Sequence, residues 1–199
     1  MAWNISIAEY LAMGGWVMLP LVMLAFVLAL LISERVLFYW ELGRNDITPD
    51  RLIDLLEESR MPGNKGSGIC NQLLQLLLGA KKRYGKLDMM IIEEITKGFI
   101  PELTKNLLII AALTKAAPLL GLLGTVSGMI TTFNVMNIFG TGNAKAMSGG
   151  ISEAMITTQF GLVVAIIGIY VSMILTRRAR HFETLVREIG VHIVRKFKL

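Results

Sequence analysis

Three long apolar stretches constrain this chain more than any other feature of its sequence. They cover residues 11–33, 107–137 and 151–176, and the only charged residues in them are Lys115 and Glu153. A helix needs about 20 mostly apolar residues to cross the hydrocarbon core of a membrane. Each stretch therefore predicts a membrane-spanning helix, and the chain as a whole is expected to be an all-α membrane protein with three transmembrane helices.

The distribution of basic residues predicts the orientation of these helices. Of the 20 lysines and arginines, eleven lie in residues 34–106 and seven in residues 177–199, whereas the first ten residues contain none. The link over residues 138–150 has only Lys145. Because basic residues stay on the cytoplasmic side during insertion, residues 34–106 and the tail are predicted to be cytoplasmic. The net charge of +5 then reflects topology and does not indicate binding to nucleic acid.

The segments outside the spans are also predicted to be mostly helical. Residues 1–10 have the apolar spacing of a short amphipathic helix on the outer surface, and residues 138–150 are expected to form an external loop. Residues 34–106 could form a small helical domain, although cytoplasmic extensions of the spans are favoured. Thr48 and Pro49 are suited to the N-cap and the first position of a helix there. The tail over residues 177–199 is predicted to continue the third span as an amphipathic helix.

Small and hydroxyl-bearing residues recur at intervals of three and four in the last two spans. Such spacing places them on one face of each helix. Small residues allow membrane helices to pack closely, and hydroxyls can form hydrogen bonds between helices. The faces could serve packing alone or could line a polar interior. The residues are Thr114, Pro118, Gly121, Thr125, Gly128 and Thr132 in the second span, and Thr158, Gly161, Ala165, Gly168 and Ser172 in the third.

The two charged residues of the spans have different interpretations. Glu153 near the outer start of the third span could be stabilised by the helix dipole, as acids in a first turn are. It could equally face a polar interior, because ionisable residues at membrane depth mark ion pathways. Lys115 is expected at the cytoplasmic interface, with its amine extended toward water. No nucleophile–base pair or metal-ligand spacing is visible, so neither an enzyme nor a bound metal or cofactor is predicted.

Two motifs in the later spans carry a resemblance to a known family. The run from Ala117 to Ile130, APLLGLLGTVSGMI, resembles the signature of the ExbB/TolQ/MotA proton-channel family. The run from Gly150 to Leu162, GISEAMITTQFGL, is similar to the same family's third-helix segment, and the pair Glu34-Arg35 after the first span also fits. The match is close to the ExbB and TolQ branch, and within that branch the run GGISEA and the following TTQ look more like ExbB.

This resemblance implies a specific assembly in the bacterial inner membrane, with a periplasmic amino terminus and a cytoplasmic carboxyl terminus. Five copies would surround a central pore lined by the second and third helices. An ExbD- or TolR-like partner would insert a single helix that bears an essential aspartate. Thr125 and Thr158 would face that aspartate on the proton path, with Thr157 sharing the role and Glu153 near the outer mouth. Close packing of the pore helices would be permitted by Gly121, Gly124, Gly128 and Gly161.

The function implied by the resemblance is that of a motor subunit. It would use the proton motive force to energise TonB-dependent import across the outer membrane, and the pentamer alone is expected to be closed. A TolQ-like role, acting through TolA and Pal, is the alternative within the family, whereas the small cytoplasmic segment disfavours a flagellar stator. A membrane scaffold without ion flow is the alternative from a different class.

Overall fold

The computed structural model describes residues 13–44, 47–58, 68–84, 89–141 and 143–196. Within these ranges the backbone forms six helices: α1 (Met18–Leu42), α2 (Pro49–Glu57), α3 (Ile69–Tyr84), α4 (Met89–Thr104), α5 (Leu107–Phe139) and α6 (Ala144–Lys196). The helix predicted over residues 1–10 lies outside the described residues.

Three stretches of helix are long and apolar enough to cross a membrane, as the sequence predicted. They are Met18–Leu42, Met89–Phe139 and Met147–Lys196. The second stretch joins α4 to α5 across a short break in which Asn106 has a φ of 63°. Because every regular element of the described residues is a helix and three stretches can span, the predicted class of all-α membrane protein is confirmed.

The connection between α5 and α6 is shorter than the sequence predicted. α5 continues to Phe139 and α6 begins at Ala144, so most of the loop predicted over residues 138–150 is helical. Gly140 follows the end of α5 with a φ of 74°, and its N–H donates to the Met136 carbonyl at 2.9 Å. A glycine with this conformation is the commonest way to end a helix.

Packing explains why α6 begins so early. Gly149 and Gly150 lower the helix propensity of the segment by about 1 kcal/mol each relative to alanine. Gly150, however, is buried against α5, where a Cβ atom would lie 2.9 Å from the Thr132 backbone nitrogen. This close approach favours helical backbone at Gly150 despite its low propensity, and the intrinsic preference that suggested a loop is overridden.

The described residues divide into two compact units. The apolar unit comprises the described residues between 13 and 32 and between 108 and 173, and the charged unit comprises those between 33 and 107 and between 174 and 196. In the apolar unit, α5 packs against α6 through small residues, and Leu28 of α1 packs at Gly168 of α6. Large apolar side chains of α1 such as Leu19 and Phe26 are exposed, which suits contact with lipid.

The charged unit has a hydrophobic core of its own. Val186, Ile189 and Ile193 form a buried stripe on α6, and they pack with leucines and isoleucines from α2, α3 and α4. The described helices of residues 34–106 thus share one hydrophobic core with the last part of α6. The other fully buried core residues include Leu42, Leu52, Leu56, Ile69, Leu73, Leu74, Leu77, Ile92 and Leu103.

The start of α2 departs in one detail from the prediction. Thr48 is the N-cap residue and Pro49 begins the helix, but the Thr48 side chain makes no capping hydrogen bond. The backbone supplies the first bond instead, because the Leu52 N–H donates to the Thr48 carbonyl at 3.0 Å.

Candidate functional site

Glycines bring α5 and α6 of the apolar unit into close contact. A Cβ atom at Gly121 would lie 3.2 Å from the Thr158 Cα, and one at Gly161 would lie 2.8 Å from the Ala117 carbonyl oxygen. At Gly128 a Cβ would come within 2.8 Å of the Ala154 nitrogen. At Gly161 and Gly128 a side chain could not be accommodated without movement of backbone, and at Gly121 the neighbouring backbone would have to give way by a few tenths of an ångström. Because glycine has no side chain, the backbones of the two helices can approach this closely. Small residues have the same effect between membrane helices in general.

Two further glycines belong to this contact, beyond the four to which the family resemblance assigned close helix packing. Gly150 meets Thr132 and the Gly128 carbonyl near one end of the interface, and Gly168 meets Thr114 near the other, where a Cβ would be 2.7 Å from the Thr114 hydroxyl oxygen. Gly168 was visible in the three-and-four spacing of small residues. Gly150 was hidden because the sequence suggested a loop at its position.

Thr158 is the threonine whose hydroxyl reaches across the interface. Its Oγ1 lies 3.2 Å from the Gly121 carbonyl oxygen on α5 and 3.0 Å from the Ala154 carbonyl oxygen on its own helix. The side chain is partly exposed. A hydroxyl has one hydrogen to donate and two lone pairs that accept. While Thr158 donates to a carbonyl, its oxygen remains able to accept a hydrogen bond from a group outside the chain.

Thr125 on α5 is also partly exposed, but its hydroxyl turns back on its own helix. Its Oγ1 donates to the Leu122 carbonyl at 2.6 Å. Rotation about χ1 would release the hydroxyl at the cost of one hydrogen bond, a net of about 1 kcal/mol. Of the three threonines that the resemblance places on the proton path, Thr125 and Thr158 are therefore the two that are partly exposed and available to a ligand.

Thr157 is in a different environment from its neighbour Thr158. Its side chain is 0% exposed and fills the space beside Gly124, where a Cβ atom would overlap Oγ1 and Cβ of the threonine. The hydroxyl donates to carbonyls of its own helix, at 2.9 Å to Glu153 and 3.1 Å to Ala154. In this arrangement Thr157 packs α5 against α6, and its hydroxyl does not reach the surface of the chain.

Glu153 lies well inside α6. Because the helix begins at Ala144, Glu153 comes after more than two turns, beyond the first turn in which the helix dipole acts. The interpretation of Glu153 as a first-turn acid is therefore wrong. The residue is partly exposed, and its carboxylate lies against the Cα of Gly15, so closely that a Cβ at Gly15 would overlap Oε1 and Cδ.

A second contact joins the same turn to α5. The indole N–H of Trp16 donates to the Ser127 hydroxyl at 3.0 Å. The sequence patterns assigned no site role to Gly15 or Trp16. Neither periodicity nor spacing could indicate this contact, because Trp16 and Ser127 are 111 positions apart in the chain.

Lys115 is exposed on α5 within a surface of apolar side chains that includes Leu119 and Leu122. An exposed amine on an apolar helix can extend to an aqueous interface. Its placement at the cytoplasmic interface stays a prediction. Among the described residues no group of three or more His, Cys, Asp or Glu side chains could hold a metal ion.

Comparison with known proteins agrees with the motifs. Residues 71–188 match the model of the MotA/TolQ/ExbB proton channel family. The ExbB-like 3 protein of Synechocystis sp. is 33% identical over 167 residues, covering 77% of this chain and 77% of the relative. The biopolymer transport proteins ExbB of Aquifex aeolicus and Helicobacter pylori are 42% and 40% identical over 79 and 83 residues, covering 40% and 42% of this chain and 53% and 57% of theirs.

The chain belongs to the MotA/TolQ/ExbB proton channel family. Among the named relatives the resemblance is closest to ExbB, as the sequence motifs indicated. The matched residues run from α3 into the final part of α6 and include every candidate site residue from Lys115 to Gly161. Family membership together with three apolar helices makes the chain a multi-pass membrane protein of a family of proton channels and not of enzymes.

Proposed function

We infer that this chain is the proton-channel subunit of an ExbB-ExbD-like motor in the bacterial inner membrane, energising TonB-dependent import. The observation that carries the proposal is the pair of partly exposed hydroxyls, Thr125 and Thr158, on two helices held together by glycine contacts. Family membership supports the general role, and the ExbB relatives are named for biopolymer transport.

The hydroxyls suit a partner carboxyl that must change its protonation state. A carboxyl group in a low-dielectric site has a raised pKa unless hydrogen bonds stabilise its charge. With their hydrogens donated to the Leu122 and Gly121 carbonyls, the two threonines offer only acceptor lone pairs and favour the protonated carboxyl. If they rotate to donate outward, they favour the carboxylate. The same pair can therefore assist both uptake and release of a proton.

Glu153 completes the proposed route as the ionisable group of α6 nearest to Thr158 in the sequence. It lies one helical turn from Thr157 in α6 and is partly exposed. The proposed assembly is a homopentamer around a pore, with its amino terminus in the periplasm and its basic segments in the cytoplasm. The transmembrane potential would supply about 2.3 kcal/mol per proton for each 100 mV.

The first test is isolation of the tagged chain from native membranes in mild detergent, with mass spectrometry of the proteins that accompany it. A single-span partner with an aspartate in its helix is expected, and its periplasmic domain would distinguish an ExbD-like from a TolR-like protein. Recovery of the chain without such a partner would favour the scaffold alternative.

The second test removes one hydroxyl from the isolated complex. In vesicles that contain the complex and a pH-sensitive dye, Thr158→Val should abolish proton flux, whereas Thr158→Ser should retain it because the hydroxyl is kept. Normal assembly of Thr158→Val must be verified by its size in detergent. Full flux through Thr158→Val would contradict the proposed route.

A further inference from the structure

We propose that Gly15 and Trp16, in the turn before α1, are positioning residues that fix the orientation of the Glu153 carboxylate. The turn contacts α6 through Gly15 and α5 through Trp16, so it joins the first span to both helices of the proposed proton route. The inference rests on the proposed function and adds two residues from outside the family motifs.

The conformation of the turn depends on glycine. Gly15 has a φ of 65°, in the left-handed region that other L-residues adopt only at a cost of about 1–2 kcal/mol. Its carbonyl accepts a hydrogen bond from the Met18 N–H at 3.2 Å, which leads the chain into α1. The glycine thus allows both a sharp entry into the helix and an approach of backbone to the Glu153 side chain.

The contact restricts where the carboxylate can lie. A Cβ at Gly15 would overlap Oε1 and Cδ of Glu153 and would lie 3.1 Å from its Cγ. The backbone of the turn therefore closes one side of the Glu153 side chain along its length. A carboxylate confined in this way loses rotamers that would direct it elsewhere, so it is pre-organised for a proton or a donor on its open side.

Trp16 holds the turn in this place. Its indole N–H donates to the Ser127 hydroxyl at 3.0 Å, although the residue is 67% exposed. An exposed aromatic ring gains little from packing, so the hydrogen bond is the feature that fixes the indole against α5. Because Trp16 follows Gly15 directly, loss of this bond should loosen the contact with Glu153.

The experiment adds a methyl group at position 15, removes a methylene group at position 153, and measures proton flux through the complex in vesicles. Gly15→Ala should displace the carboxylate and lower flux by up to about a hundredfold, as small misplacements of a reacting group do. Glu153→Asp shortens the acid by one methylene and makes room for the new Cβ. The double variant Gly15→Ala, Glu153→Asp should therefore conduct better than Gly15→Ala alone, which a general loss of stability would not permit.

Gly140→Ala is the matched control for backbone strain. Gly140 has a φ of 74°, close to that of Gly15, but a Cβ there would meet nothing within 4 Å. Gly140→Ala should therefore introduce a similar backbone strain but leave proton flux through the complex unchanged. Equal losses in Gly140→Ala and Gly15→Ala, or no recovery in the double variant, would overturn the inference.

The positioning role can also be tested without proton flux, by the rate at which a thiol reagent labels a cysteine at position 153. In a Cys70→Ala background, Glu153→Cys should react slowly with a charged thiol reagent, and adding Trp16→Leu should raise the rate severalfold. Trp40→Leu, which removes an exposed tryptophan stacked on Arg44 in the charged unit, should leave the rate unchanged. An unchanged rate with Trp16→Leu would contradict the positioning role. Normal flux in Glu153→Gln would instead contradict the place of Glu153 on the proposed proton route and leave the positioning contact standing.

Discussion

The Thr157 side chain occupies the space that the missing side chain of Gly124 leaves on α5. Thr157 is completely buried there, while the next residue, Thr158, keeps a partly exposed hydroxyl. The two adjacent threonines therefore lie in different environments: Thr157 is buried in the packing, and Thr158 reaches the backbone of α5 while it stays partly exposed.

Gly124→Ala should destabilise the apolar unit. The added methyl would overlap Thr157, and overpacking of this kind typically costs about 1–3 kcal/mol. The apparent melting temperature in detergent should fall. Gly149→Ala is the control, because a Cβ there meets nothing within 4 Å and alanine has the better helix propensity. A Gly124→Ala protein as stable as Gly149→Ala would show that the two helices are not in close contact at this level.

Thr157→Val should leave proton flux close to normal, in contrast to Thr158→Val. The Thr157 hydroxyl donates only to carbonyls of its own helix, and replacing a buried hydroxyl by a methyl of similar shape is nearly neutral when no buried donor loses its partner. Flux in vesicles and the melting temperature should both be measured. Loss of proton flux in Thr157→Val with a normal melting temperature would show that the Thr157 hydroxyl does take part in the proton route.

Features governed by length and spacing could be predicted from the sequence. The spans follow from apolar length, and the contacts of Gly121, Gly128 and Gly161 follow from intervals of three and four. The contacts of Gly15 and Trp16 could not be predicted, because they join a turn to helices more than a hundred positions away. The early start of α6 was missed because local glycine propensity opposed the packing of Gly150.

The charged unit offers an independent test at Tyr39. This side chain is 1% exposed, and its hydroxyl donates to the Leu103 carbonyl at 2.6 Å, near the end of α4. Carbonyls in the last turn of a helix lack a partner within it. Tyr39→Phe removes the donor and should cost about 1–2 kcal/mol of stability.

The melting temperature in detergent is the measurement for Tyr39→Phe, and Tyr170→Phe is its control. Tyr170 is 62% exposed on α6, so loss of its hydroxyl should change stability little. Equal stability of the two variants would mean that the Tyr39 hydrogen bond contributes nothing to the charged unit.

The thiol of Cys70 should report on opening of the core of the charged unit. Cys70 is 1% exposed and lies in the core cluster with Leu73 and Leu74. A thiol reagent should therefore modify it only when this core opens, and the rate should rise steeply near the melting temperature. Leu76→Cys places a thiol on the same helix at a position that is 49% exposed, and this second thiol should react at once in the folded protein. Rapid modification of Cys70 under the same conditions would show that α3 separates from its neighbours in the native state.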